Sequence, residues 1–220
     1  MNRKLLTAVA LAAPLAAGFA SSAMATVELE LTSGLSTTGA ILGSFCGTET
    51  CASFSGTVGA WTINLTAGDS AGPGNPTMDL TSLNATSSAS AAPLDVELSD
   101  NGFSVGSSLF FLASSGNLVS GTGSATYSAY FDTGNADFAK TTLIGTLGRF
   151  SASYLANTVG PGTTTTPYSL TEDLVLTADA GGVKWSTDSS VAPVPEPASI
   201  TLLASALLGL GWLGRRRKLA

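Results

Sequence analysis

Asp132, Asn135 and Asp137 in "FDTGNADF" place three oxygen-bearing side chains in one short glycine-containing segment. Hard cations such as calcium take oxygen ligands at this kind of loop, so the segment is a candidate calcium site. The same residues also suit a turn in which Asp and Asn bond their own backbone, and the Asp-x-Asp-x-Asp-Gly spacing of a calcium loop is missing. Both readings stand at this stage. Asp69 and Asn75 in "GDSAGPGN" form a second, weaker set. No other cofactor is expected. The 220 residues include no histidine, which removes Ser-His-Asp, Cys-His and histidine-metal chemistry. The carboxylate pairs Glu28/Glu30 and Asp95/Glu97 stand at i, i+2 on what reads as the solvent face of a strand. Lys140 in "AKTTL" lacks a Ser-x-x-Lys partner. With no nucleophile and base to pair, the expectation is a protein that is not an enzyme.

Cys46 and Cys51 in "FCGTETCA" are expected to form a disulfide once exported, worth about 2 kcal/mol for so short a loop. Export is expected from the N-terminus. Arg3 and Lys4 precede an apolar run from Leu5 to Ala20, and Ala23-Met24-Ala25 is the small-x-small pattern cut by signal peptidase. Residues 1–25 therefore read as a signal peptide, and signal peptidase and the secretion machinery as partners.

Residues 26–190 read as one extracytoplasmic domain. Apolar residues alternate strictly in "TVELELT", "AWTINLTAG", "PLDVELSDNGF", "SATYSAYFD" and "RFSASYLAN", which is the period of half-buried antiparallel strands. Turn chemistry in "AGDSAGPGNP", "SDNG", "SSGN", "DTGN" and "NTVGPGTTTTP" separates them. "DLVLTAD" and "GVKWSTD" read as two further short strands, and no amphipathic helix is visible. The fold expected is all-β, an antiparallel two-sheet sandwich for which a jelly roll is one arrangement.

Between Thr26 and Val194, three cations (Lys140, Arg149 and Lys184) face fourteen carboxylates, a surplus of eleven negative charges. That balance repels phosphate backbones and excludes nucleic acid as a partner. A sandwich of this composition could instead bind polysaccharide through exposed aromatics. Tyr130, out of phase with Tyr127 and Phe131, is the one expected to face solvent; Trp61, Tyr127, Tyr154, Tyr168 and Trp185 fall in phase with apolar neighbours.

The tail has its own organisation. Residues 191–197 form a proline-rich spacer, 198–214 an uncharged run, and Arg215, Arg216, Arg217 and Lys218 a basic cluster within residues 215–220. Seventeen residues as a helix reach about 26 Å, enough for one transmembrane pass with Trp212 at the interface and the cations kept cytoplasmic. Pro195-Glu196-Pro197, a hydrophobic run and then the basic cluster resemble the PEP-CTERM sorting signal of Gram-negative bacteria. "GTVGAWTINLTAG", "PLDVELSDNGF" and "YSLTEDLVL" resemble family members more loosely. The resemblance implies exosortase as the processing partner and an inner-membrane intermediate. It also implies a surface or matrix destination associated with exopolysaccharide and biofilm. A glycan-binding module of the extracellular polymer is the alternative role, and a secreted hydrolase a distant one.

Overall fold

The computed structural model describes residues 26–194. The signal segment with Ala23 and Ala25, the Pro195-Glu196-Pro197 motif, the 198–214 run and the cluster Arg215–Lys218 lie outside the described residues.

The described chain is all strand and connection, with no helix. In order the strands are β1 (Glu28–Ser33), β2 (Ser36–Thr37), β3 (Ile41–Leu42), β4 (Ser44–Cys46), β5 (Glu49–Val58) and β6 (Trp61–Ser70). There follow β7 (Met78–Ser87), β8 (Ala91–Phe103), β9 (Ser107–Asp132), β10 (Thr142–Phe150), β11 (Tyr154–Thr163) and β12 (Tyr168–Pro193). Every pairing is antiparallel, and the main path runs β2-β1-β8-β12-β7-β6-β5-β4, with β9 joining β12 to β10 and β11.

Alternation dictates which face is buried. Val27, Leu29 and Leu31 are buried, as are Leu94, Val96 and Leu98, and the β1–β8 register sets Leu29 opposite Leu98 and Leu31 opposite Val96. Each apolar pair covers its neighbour on the pleated surface, so the ladder and the core are built by the same residues. Trp61, Ile63 and Leu65 do the same on β6, and Ala125, Tyr127 and Ala129 on β9.

The sheet is continuous and curled. The first part of β12, Tyr168–Ala178, lies between β8 and the end of β9; the second, Val183–Pro193, lies between β7 and the start of β9. The register breaks between Ala178 and Val183, where Gly182 (φ 75°) meets Gly121 (φ 80°) of β9. A Cβ on Gly121 would run into the Gly182 carbonyl, and one on Gly182 into that of Ser87. Only glycine fits this crossing. The curl brings β6 over β8, where the Trp61 indole N–H donates to the Ala92 carbonyl at 2.8 Å. The two strands expected at "DLVLTAD" and "GVKWSTD" are thus one strand with a break in it.

Five sequence expectations are corrected, the first being "SDNG", which is not a turn but part of β8, with Ser99 opposite Thr171 and Asp100 opposite Leu170. "RFSASYLAN" is not a strand: β10 stops at Phe150, residues 151–153 turn, and the Phe150 and Tyr154 rings stack at 3.9 Å across that turn. "SSGN" is not a turn but mid-β9, paired with β11 and β12, and Gly116 is there because a Cβ would strike the Tyr154 ring. Residues 157–163 of "NTVGPGTTTTP" belong to β11, whose Pro161 lies opposite Leu109. The strand expected to finish before Ser190 continues to Pro193, with Val191 opposite Leu112 and Ala192 opposite Phe111. Cys46 and Cys51 are joined by a disulfide across the β4–β5 hairpin, with Cα atoms 5.9 Å apart.

Candidate functional site

Residues 133–141, between β9 and β10, fold back over the outer face of β8 and β12. Asp132 opens this loop: its Oδ2 accepts from the Ala136 N–H at 3.1 Å and its Oδ1 from the Thr141 hydroxyl at 2.8 Å. Those hydrogen bonds hold its carboxyl below the usual carboxylate range. Asn135, in the left-handed region at φ 61°, accepts from the Gly102 N–H at 2.7 Å, and Asp137 accepts from the Asn101 side chain. The three candidate calcium ligands therefore share a loop, but each spends an oxygen on a different protein donor. Of the weaker set, Asp69 stands on β6 opposite Asp79, while Asn75 accepts from the Thr77 hydroxyl in the next loop.

The far end of the loop carries Lys140, whose ammonium lies 2.6 Å from Asp173 and 2.7 Å from Glu97. Burial works against the cation, but hydrogen bonds to Asp173 and then Glu97 outweigh it and hold the ammonium above its ordinary range. Beside them, burial first and then the hydrogen bond and charge of Asp173 push Asp95 up to about 7, against the pull of Lys140. Asp95 and Glu97 were expected on a freely solvated face. They are half-buried, because the loop lays its one cation over them. Tyr130, expected in solvent, is also half-buried, with Lys140 Nζ 6.0 Å from its ring centre.

Two acids are buried outright. Glu172 lies in the core with its Oε1 accepting from the Tyr127 hydroxyl at 2.6 Å, and burial drives its carboxyl far above the usual range. The signal was legible: in "YSLTEDLVL" period two sets Glu172 between Leu170 and Leu174 on one face. Asp100, fully buried, is pushed up to about 6 by burial, against hydrogen bonds from Ser70 and the Asn101 N–H.

These shifts share a sign. Asp95 and Asp100 keep, when folded, protons that the unfolded chain releases above its ordinary carboxylate value of 3.8. Stability is then greatest at acid pH and is lost as pH rises from about 4 through 7. Asp132 runs the other way, but its contribution fades only below the ordinary range. The melting temperature is expected to fall between pH 5 and pH 8, and Asp95→Asn to flatten that slope. A melting temperature that rises over this interval would contradict the arrangement.

A different surface lies on the outer face of β5, β6, β7 and the second part of β12. Two rows cross it, Thr57–Thr62–Thr86–Lys184 and Ser55–Asn64–Asn84–Ser186, each residue opposite the next in register. All of these but Ser186 line a shallow groove of about 600 Å3. Its walls offer hydroxyls, amides and one ammonium. The aromatics available for stacking are elsewhere: Trp61, Tyr127, Tyr168 and Trp185 are fully buried.

The C-terminal end of β12 is tied into the sheet up to the last described residue. Pro193 is opposite Phe110, and the Val194 N–H donates to the Leu109 carbonyl at 2.9 Å. Pro195 is the next residue. The molecule is thus an all-β module whose last strand delivers its chain directly to a proline-bounded acidic tripeptide. That tail carries the PEP-CTERM protein-sorting motif, whose family model matches residues 193–218. No curated protein matches the chain. Among solved structures it is similar to TmCBM61 in complex with beta-1,4-galactotriose, at 9% identity over 61% of this chain and 83% of that one, TM-score 0.35. It is also similar to the K1 cleaved adhesin domain of Lys-gingipain from Porphyromonas gingivalis W83, at 11% identity over 66% and 99% respectively, TM-score 0.33. A third is the mannan-recognising carbohydrate-binding module TmCBM27, at 8% identity over 65% and 86%, TM-score 0.30. Likeness at this level says nothing of ligand or activity.

Proposed function

We propose that this is an exported, exosortase-processed protein of the cell surface or extracellular matrix, associated with exopolysaccharide and biofilm, and not an enzyme. The sandwich-like module is the cargo, and the tail is the address. The observation that carries this reading is the sorting motif at residues 193–218, which begins where the last strand ends. Prolines at 193, 195 and 197 fix φ and remove three N–H donors, a composition that disfavours a helix interior around Glu196 and suits presentation of its carboxylate to a processing enzyme. Deleting exosortase from the producing cell should leave the protein in the inner membrane at full length. Unchanged release from such a strain would overturn the proposal.

Binding of polysaccharide is a second reading, favoured by the polar groove. Its two rows suit sugar hydroxyls, which need paired donors and acceptors, and a groove without aromatics would bind by hydrogen bonds rather than stacking. Two amides lie at its centre, opposite one another. Asn64→Ala with Asn84→Ala is expected to weaken retention on the organism's own exopolysaccharide roughly tenfold, at about 1 kcal/mol or somewhat less per hydrogen-bonding group lost. Retention equal to the parent protein would remove this reading. Neither reading requires a metal; a melting temperature raised by calcium and restored by chelator would assign an ion to Asp132, Asn135 and Asp137.

A further inference from the structure

The geometry points to a membrane-resting face on this module: while the tail still anchors it, the outer surface of β9, β11 and the end of β12 lies against the lipid bilayer. The inference rests on the reading of 198–214 as a membrane helix. Alternation turns Leu109 and Phe111 of β9 outward, opposite Pro161 and Val159 of β11, while Ala192 stands opposite Phe111 on the other side. Leu109, Phe111 and Val159 are 44%, 38% and 51% exposed, so the patch has no cover within the described residues. Val194 closes its edge by bonding Leu109, and the chain departs from that edge.

Two features say that the cover is lipid. The first is length. Only residues 195–197 separate Val194 from the uncharged run beginning at Ala198. Three residues can reach no further than about 10 Å in any conformation, and the headgroup layer on each side of a bilayer is about 5 to 8 Å deep. The end of β12 is therefore held at the membrane surface, with the patch beside it. The second is charge. The module is strongly acidic, yet residues 101–131, 150–171 and 189–195 contain no charged side chain. The segments of β9, β11 and β12 that meet at the exit edge are thus free of the carboxylates that would be driven off an anionic leaflet; the next one on this face of β12, Asp188, stands four residues from Ala192, about 13 Å along the strand. A small apolar patch suffices here, because the anchor supplies a high effective concentration of membrane. Once the tail is removed, that advantage disappears and the module leaves the surface.

The test uses the full chain in vesicles of phosphatidylethanolamine and phosphatidylglycerol with brominated acyl chains. An environment-sensitive label is placed, with the native disulfide intact, at Phe111→Cys or at Val159→Cys. Thr86→Cys is the reference; Thr86 is opposite Lys184, which lies eight residues before Ala192 on β12, about 26 Å along the strand. Loss of most emission at 111 and 159, with emission at 86 retained, is the expected result. Equal emission at all three sites in protein that resists carbonate extraction would overturn the resting face and leave the anchor. Cross-linking of 159 to 159 between chains would make a second copy the occupant, and overturn it also. Protein stripped by carbonate would remove the anchor reading and this inference together.

Discussion

Val96→Asp is expected to cost several kcal/mol and to leave little folded protein at ambient temperature. Val96 is fully buried, opposite Leu31 of β1 and Leu174 of β12, so the new carboxylate would sit between two leucines in the middle of three strands. The fully buried acids that the core does tolerate have donors: Glu172 the Tyr127 hydroxyl, and Asp100 the Ser70 hydroxyl and the Asn101 N–H. Position 96 has only leucines beside it in the ladder. Glu30→Lys, on the outer face of β1 and opposite Glu97, replaces one of two facing acids and should be close to neutral. Glu97→Lys is not a neutral control, because it sets a second cation against Lys140; it should cost about 1 kcal/mol. Equal melting temperatures for Val96→Asp and Glu30→Lys would refute the inward face of β8.

The other large effect concerns fate rather than stability. Replacing Pro195-Glu196-Pro197 by Gly-Ser-Gly leaves the uncharged run and the basic cluster intact, and those alone suffice for insertion. What changes is the stiffness and charge of the segment between module and membrane. If a processing enzyme reads that segment, full-length protein accumulates in the inner membrane and the shorter form vanishes from outside the cell. If the tripeptide is only a linker, size and location stay as they were. The strand ending at Pro193, with Val194 still bonded to Leu109, sharpens the expectation, because only Pro195, Glu196 and Pro197 lie between the module and the uncharged run.

Much of this was written in the local pattern. At 27–31, 61–65 and 94–98 one face is buried and the other is not, so the side chains alternate and the strand is legible without partners. The β11 segment 157–163 and "SSGN" misled, because Gly, Thr, Ser and Pro there serve close approaches between strands rather than turns. The curl at Gly121 and Gly182 depends on two segments 61 residues apart meeting at one point, and no local window contains it. The cover over Asp95 and Glu97 was hidden for the same reason: β8 alone looks half-solvated until Lys140 arrives from a distant loop. The tail was the most legible part of all, since its chemistry is read in order along the chain and needs no fold.

The most direct measurement is mass spectrometry of the C-terminus of the protein recovered from outside the cell. A sorted and processed protein ends before the basic cluster, and no peptide containing Arg215–Ala220 is found in that pool. Surface-exposed protein that still carries Arg215–Ala220 would contradict the account and leave a plain membrane anchor in its place.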